Sequence, residues 1–67
     1  MKCRIHLKRE SKEIEYEFAE GEKLSDMLIS IDLIPDTVII YRDEKPVPED
    51  EYIAEGEYVI FETASRG

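Results

Sequence analysis

A change of hydrophobic period at Gly21 constrains this chain more than any other feature. Before it, side chains alternate. Met1, Cys3, Ile5 and Leu7 interleave with Lys2, Arg4, His6 and Lys8; Ile14, Tyr16 and Phe18 interleave with Glu13, Glu15 and Glu17. A period of two belongs to a strand with one face buried and one wet. Polar Glu10-Ser11-Lys12 separates the two runs, so they read as a β-hairpin. Its wet face sets a basic row against an acidic one, and each opposed pair contributes roughly 0.2–1 kcal/mol to holding the register. After Gly21, Leu24, Met27, Leu28 and Ile31 recur at i, i+3, i+4 and i+7, one face of a helix. Asp26 in its first turn suits the helix dipole, and Pro35 ends any helix by Ile34. A helix of about three turns needs a sheet to lie on.

The second half of the chain is patterned differently. Val38-Ile39-Ile40-Tyr41 is apolar without interruption, as expected of a central strand. Asp43-Glu44-Lys45 reads as a turn, and Pro46 and Pro48 leave room for an edge segment at Val47 at most. Glu49 to Ala54 has room for one helical turn around Ile53. Glu55-Gly56-Glu57 is a further turn, and Tyr58 to Thr63 a last strand apolar on both rows. The expected organisation is a single domain over residues 1–67, with 64–67 a flexible C-terminal tail. One helix covers one face of a sheet and leaves the other to solvent. With Val38, Ile40, Val59 and Phe61 placed toward the helix, Ile39, Tyr41, Tyr58 and Ile60 form a patch on the open face. Contiguous exposed apolar and aromatic groups mark partner surfaces; coverage by the tail or by self-association is the other reading.

Composition narrows the classes of function. The chain has 67 residues, 42% of them hydrophobic, which suffices for one small core and is too many for a disordered acidic tail. Net charge is −8, with +4 on the first twelve residues and −12 on the remainder. Such a surface repels phosphate backbones, so no nucleic acid is expected. It either steers the protein toward a basic partner or simply keeps it soluble. No apolar run approaches the ~20 residues of a membrane span, and the alternating N-terminus is unlike a signal peptide. No membrane association and a cytoplasmic location are therefore the expectation, in keeping with a single cysteine.

The order β-β-α-β-β resembles the ubiquitin-like β-grasp fold. Within it, the chain is similar to the sulfur-carrier group: the thiamin carrier ThiS, the molybdopterin-synthase small subunit MoaD, and small archaeal ubiquitin-like modifiers. The resemblance runs along the whole chain. Glu22-Lys23-Leu24-Ser25-Asp26-Met27-Leu28 looks like the helix after the carriers' hairpin. Val38 to Tyr41 followed by Pro46-Val47-Pro48, and Glu55-Gly56-Glu57 followed by Tyr58-Val59-Ile60-Phe61, look like their later strands and turns. The resemblance implies an α+β fold, a mixed four-stranded sheet packed on one helix. It also implies a carrier that is not an enzyme and supplies no catalytic side chain. An ATP-dependent E1-like adenylating enzyme would activate the C-terminal glycine carboxylate. A sulfur-accepting or conjugation partner would follow, to give a thiocarboxylate or an amide. The resembling carriers end in Gly-Gly, whereas this sequence ends in Arg66-Gly67. Two readings follow: the tail has lost a residue, making the protein a poor E1 substrate or a relative that only binds, or a single glycine suffices and the activating enzyme accepts Arg66. A non-covalent adaptor with an inert tail is thus the alternative function.

Other side chains carry little chemistry. Cys3 sits on the inward row of its strand with no basic neighbour on that row, a buried structural thiol. One cysteine excludes an iron–sulfur cluster, and His6 faces away from it, so the two cannot share a metal. The carboxylates show no calcium-loop spacing, and no nucleophile motif or phosphate loop is present. No metal and no cofactor are expected, and the chain on its own is expected to be a monomer.

Overall fold

The computed structural model describes residues 1–63. Residues 64–67, expected as the tail, lie outside the described residues. Five strands form one mixed sheet: β1 (Lys2–Leu7), β2 (Lys12–Glu17), β3 (Val38–Arg42), β4 (Lys45–Val47) and β5 (Gly56–Glu62). Their order is β2-β1-β5-β3-β4, with β1 and β5 parallel and every other pair antiparallel. One helix, α1 (Leu24–Ser30), crosses between the halves, followed by a 3₁₀ turn at Pro35–Thr37. This is the β-grasp arrangement. The sheet has five strands rather than the expected four because Lys45–Val47 pairs with the end of β3. Pro46 is tolerated there since β4 is an edge. Among the described residues, no helix is long and apolar enough to cross a membrane.

The first hairpin forms as its alternation predicts. Lys2 lies opposite Glu17, Arg4 opposite Glu15 and His6 opposite Glu13, while Cys3, Ile5 and Leu7 turn inward and are buried. The helix is shorter than expected, seven residues. Asp26 accepts the Lys23 N–H at 3.1 Å and fixes its start. Its end is set before Pro35, by Asp32 in the left-handed region (φ 66). The Leu33 N–H bonds to the Leu28 carbonyl at 2.8 Å and the Asp32 N–H to the Ile29 carbonyl at 3.1 Å. These two bonds satisfy carbonyls that the helix end would leave open.

The segment expected to hold a helical turn around Ile53 does something else. The carbonyls of Glu51 and Glu49 accept the free N–H groups of Leu24 and Ser25, at 2.9 and 2.8 Å. Tyr52 forms a lone bridge with Lys23, and the Ile53 N–H bonds to Glu22. A helix start presents unpaired N–H groups, and an extended segment offers the carbonyls to meet them. Ile53 is thereby drawn into the core beside Phe18, Leu24, Met27 and Leu28.

Candidate functional site

The site is built on β3 and β5, the two central strands after β1. In β5 the buried row is Tyr58 (2% exposed) and Ile60 (1%), whereas Val59 is half-buried and Phe61 is 42% exposed. Tyr58 and Ile60 were expected on the open face, and the structure overturns that. The physical reason is register. Ile60 stands opposite Ile40 and beside Leu7, and Tyr58 stands beside Ile5. Paired residues point to the same face, so the inward rows of β1 and β3 impose their parity on β5. Burial of Tyr58 leaves no polar debt, since its hydroxyl accepts the Ala54 N–H at 3.0 Å. Its ring lies 5.0 Å beneath the Arg42 guanidinium. Sequence reasoning missed Val59 and Phe61 on the open face. No charge on the strand separates its two rows, since Glu57 lies on one and Glu62 on the other.

The open face therefore carries a square of apolar groups. Ile39 (40% exposed) stands opposite Phe61, and Tyr41 opposite Val59. The rings of Tyr41 and Phe61 meet edge to face, with centroids 5.3 Å apart and planes at 83°. Exposed Pro46, opposite Tyr41, continues the surface to the β4 edge. Toward β1 the patch is bounded by His6, opposite Val59. Its Nδ1 lies 3.2 Å from Glu13 and its Nε2 3.3 Å from Glu57, so one imidazole bridges carboxylates from both flanking strands. Of the four residues expected to form the patch, Ile39 and Tyr41 are there, joined by Val59 and Phe61.

The same face adjoins the point where the chain leaves the sheet. Thr63 donates both its N–H (2.8 Å) and its Oγ1 hydroxyl (3.1 Å) to the Thr37 carbonyl. Thr37 is itself held, its hydroxyl donating to the Ile34 carbonyl at 2.7 Å. Position 63 is thus anchored two residues beyond Phe61. Arg66 and Gly67 lie outside the described residues; four residues extend at most ~14 Å, which bounds the distance from Thr63 to Gly67. At this end Arg9 pairs with Glu62 at 3.2 Å.

Two titratable groups on the inward row of the hairpin, Cys3 and Tyr16, are held by contacts within the fold. The Cys3 Sγ is buried 3.9 Å from the Met27 sulfur, and burial pushes its thiol up. Tyr16 donates to Glu22 at 2.5 Å, a bond that raises the phenol. Among the described residues, no three His, Cys, Asp or Glu side chains converge on a metal-sized site.

Comparison with known proteins gives two findings. Residues 1–62 match the family described as small archaeal modifier protein 2. An uncharacterized protein of Archaeoglobus fulgidus is 34% identical over 58 residues, which are 87% of this chain and 85% of that relative. The matched residues include Ile39, Tyr41, Val59 and Phe61 and stop before Arg66 and Gly67.

Proposed function

The chain belongs to the family of small archaeal modifier protein 2, small ubiquitin-like proteins that are modifiers rather than enzymes, and from that membership we propose that its Gly67 carboxylate is activated by an ATP-dependent E1-like enzyme. A carboxylate oxygen attacks the α-phosphorus of ATP and pyrophosphate leaves. Sulfide-level sulfur or a lysine amine then displaces AMP, giving a thiocarboxylate or an isopeptide bond. Glycine suits this role because, without a Cβ, it passes a narrow channel and adopts angles closed to other residues.

One observation carries the reading: the exposed square of Ile39, Tyr41, Val59 and Phe61 lies against the anchored root of the C-terminal residues. An enzyme that grips this face holds its active site within ~14 Å of Thr63, the reach of Gly67. The apolar groups supply binding energy and Thr63 sets the direction of exit. The test is incubation with the E1-like enzyme, ATP and sulfide, followed by intact mass. Replacement of one oxygen by sulfur, lost on deleting Gly67 and reduced by Phe61→Lys, is the expected result. An unchanged mass, while a carrier ending in Gly-Gly is converted in parallel, rejects it.

The second reading is a non-covalent adaptor that uses the same face with an inert tail. The patch is complete within residues 1–62, and this favours it. Removal of Ser65 to Gly67 separates the two: carrier activity disappears, whereas adaptor binding persists.

A further inference from the structure

The two edges of the sheet are built differently. β4 is three residues long with Pro46 at its centre, so it offers almost no ladder to a further strand. β2 is six residues long, with no proline, glycine or bulge. The pairing phase is set at its end, where Met1 and Phe18 exchange both backbone bonds, at 2.7 and 3.2 Å. In an antiparallel ladder bonded and non-bonded pairs alternate. Tyr16 and Ile14 therefore bond to β1, and the backbone N–H and C=O groups of Glu13, Glu15 and Glu17 point away from the sheet.

The side chains say what such an edge accepts. Glu13, Glu15 and Glu17 are all exposed in one row on the open face. Among the described residues, Glu15 and Glu17 have no basic group within 4 Å, although Arg4 and Lys2 are their register partners; only Glu13 is engaged, by His6. On the opposite face Ile14 and Tyr16 are only half-buried. A second copy of β2 pairing here would set glutamate beside glutamate, which is destabilising. A strand with basic side chains on one row and apolar ones on the other meets complementary charge and an apolar floor. We propose that the open edge of β2 receives an extended protein segment with Lys or Arg at alternate positions, added as a sixth strand. The site is two strands, about 10 Å, from the Val59 row, so both surfaces can be occupied together.

The experiment titrates the 15N-labelled chain with a blocked heptapeptide alternating valine and lysine, and with its valine–glutamate counterpart. The lysine peptide is expected to shift β2 resonances and slow exchange of the Glu13, Glu15 and Glu17 amides, with the glutamate peptide inert. Glu15→Pro removes an outward N–H and the Glu15 carboxylate but no bond to β1, so the fold is retained and the peptide's effect is lost, whereas Glu15→Gln, which keeps the N–H, retains part of it. Glu15→Lys keeps that N–H, and turning one attraction into a repulsion weakens lysine-peptide binding by about fivefold. Several outcomes overturn the proposal: shifts centred on Tyr41 and Phe61, equal binding by Glu15→Lys, no response to the lysine peptide, or β2 resonances broadened by self-association without peptide.

Discussion

The β1–β2 hairpin and the β3–β5 pair share one sheet but use its open face in opposite ways. On the hairpin that face is charged, Lys2, Arg4 and His6 against Glu17, Glu15 and Glu13. On β3 and β5 it is apolar, Ile39 and Tyr41 against Phe61 and Val59. A strand with one wet row needs apolar residues on only one side. β3 and β5 carry a second apolar row that the core does not use. That surplus is the surface on which the proposed docking rests, and it lies at the anchored exit of the chain.

Neighbouring residues of β5 give the sharpest test of this division. Ile60→Ala empties a fully buried position and is expected to cost about 2–5 kcal/mol, much of the stability of so small a domain, measured by urea unfolding. The next effect comes from Gly56, whose φ of +130° is closed to side chains and whose added Cβ would lie 2.8 Å from the Arg42 guanidinium. Gly56→Ala is expected to cost about 1–3 kcal/mol in the same measurement, loosening β5 while leaving the hairpin's own pairing unchanged. The double variant Val59→Thr and Phe61→Thr gives β5 a wet row like that of β1. Its stability should fall by about 1–2 kcal/mol, through the lost Tyr41–Phe61 contact and the half-buried Val59, less than for Ile60→Ala, yet activation by the E1-like enzyme should fall sharply. Loss of stability comparable to Ile60→Ala would mean that the outer row belongs to the core after all.

The smallest effect concerns the hairpin's inward row. Burial raises the Cys3 thiol in the folded state. Above about pH 8.5, where a free thiol ionises, the unfolded chain releases this proton and the folded chain keeps it. Stability contributed by the neutral thiol is whole below that pH and declines as pH rises. Cys3→Ala should therefore flatten the alkaline decline in urea midpoint, and folded protein should react slowly with a thiol reagent at neutral pH. Rapid labelling without unfolding would show that the inward row is open.

Much of the architecture was legible locally. The hairpin, its facing charge rows, the helical row from Leu24 and the chain's fold class follow from periodicity and resemblance, and all stand in the structure. The helix ends before Ile34, as Pro35 requires, but is shorter than three turns because Asp32, unlike Pro35, gives no steric signal of stopping until its left-handed conformation is seen. Glu49 to Ala54 has room for a helical turn around Ile53 and instead caps α1, because an irregular segment that caps another element has no period of its own.

The sequence by itself determined which row of β1 and β2 is buried, because a charged row has only one place to go. It could not determine this for β5, where Tyr58, Val59, Ile60 and Phe61 are all apolar and either parity buries a similar area. Tertiary structure decided it: pairing with β1 and β3 at once sets Ile60 between Leu7 and Ile40, and a shift of one residue would reverse every side chain of the strand.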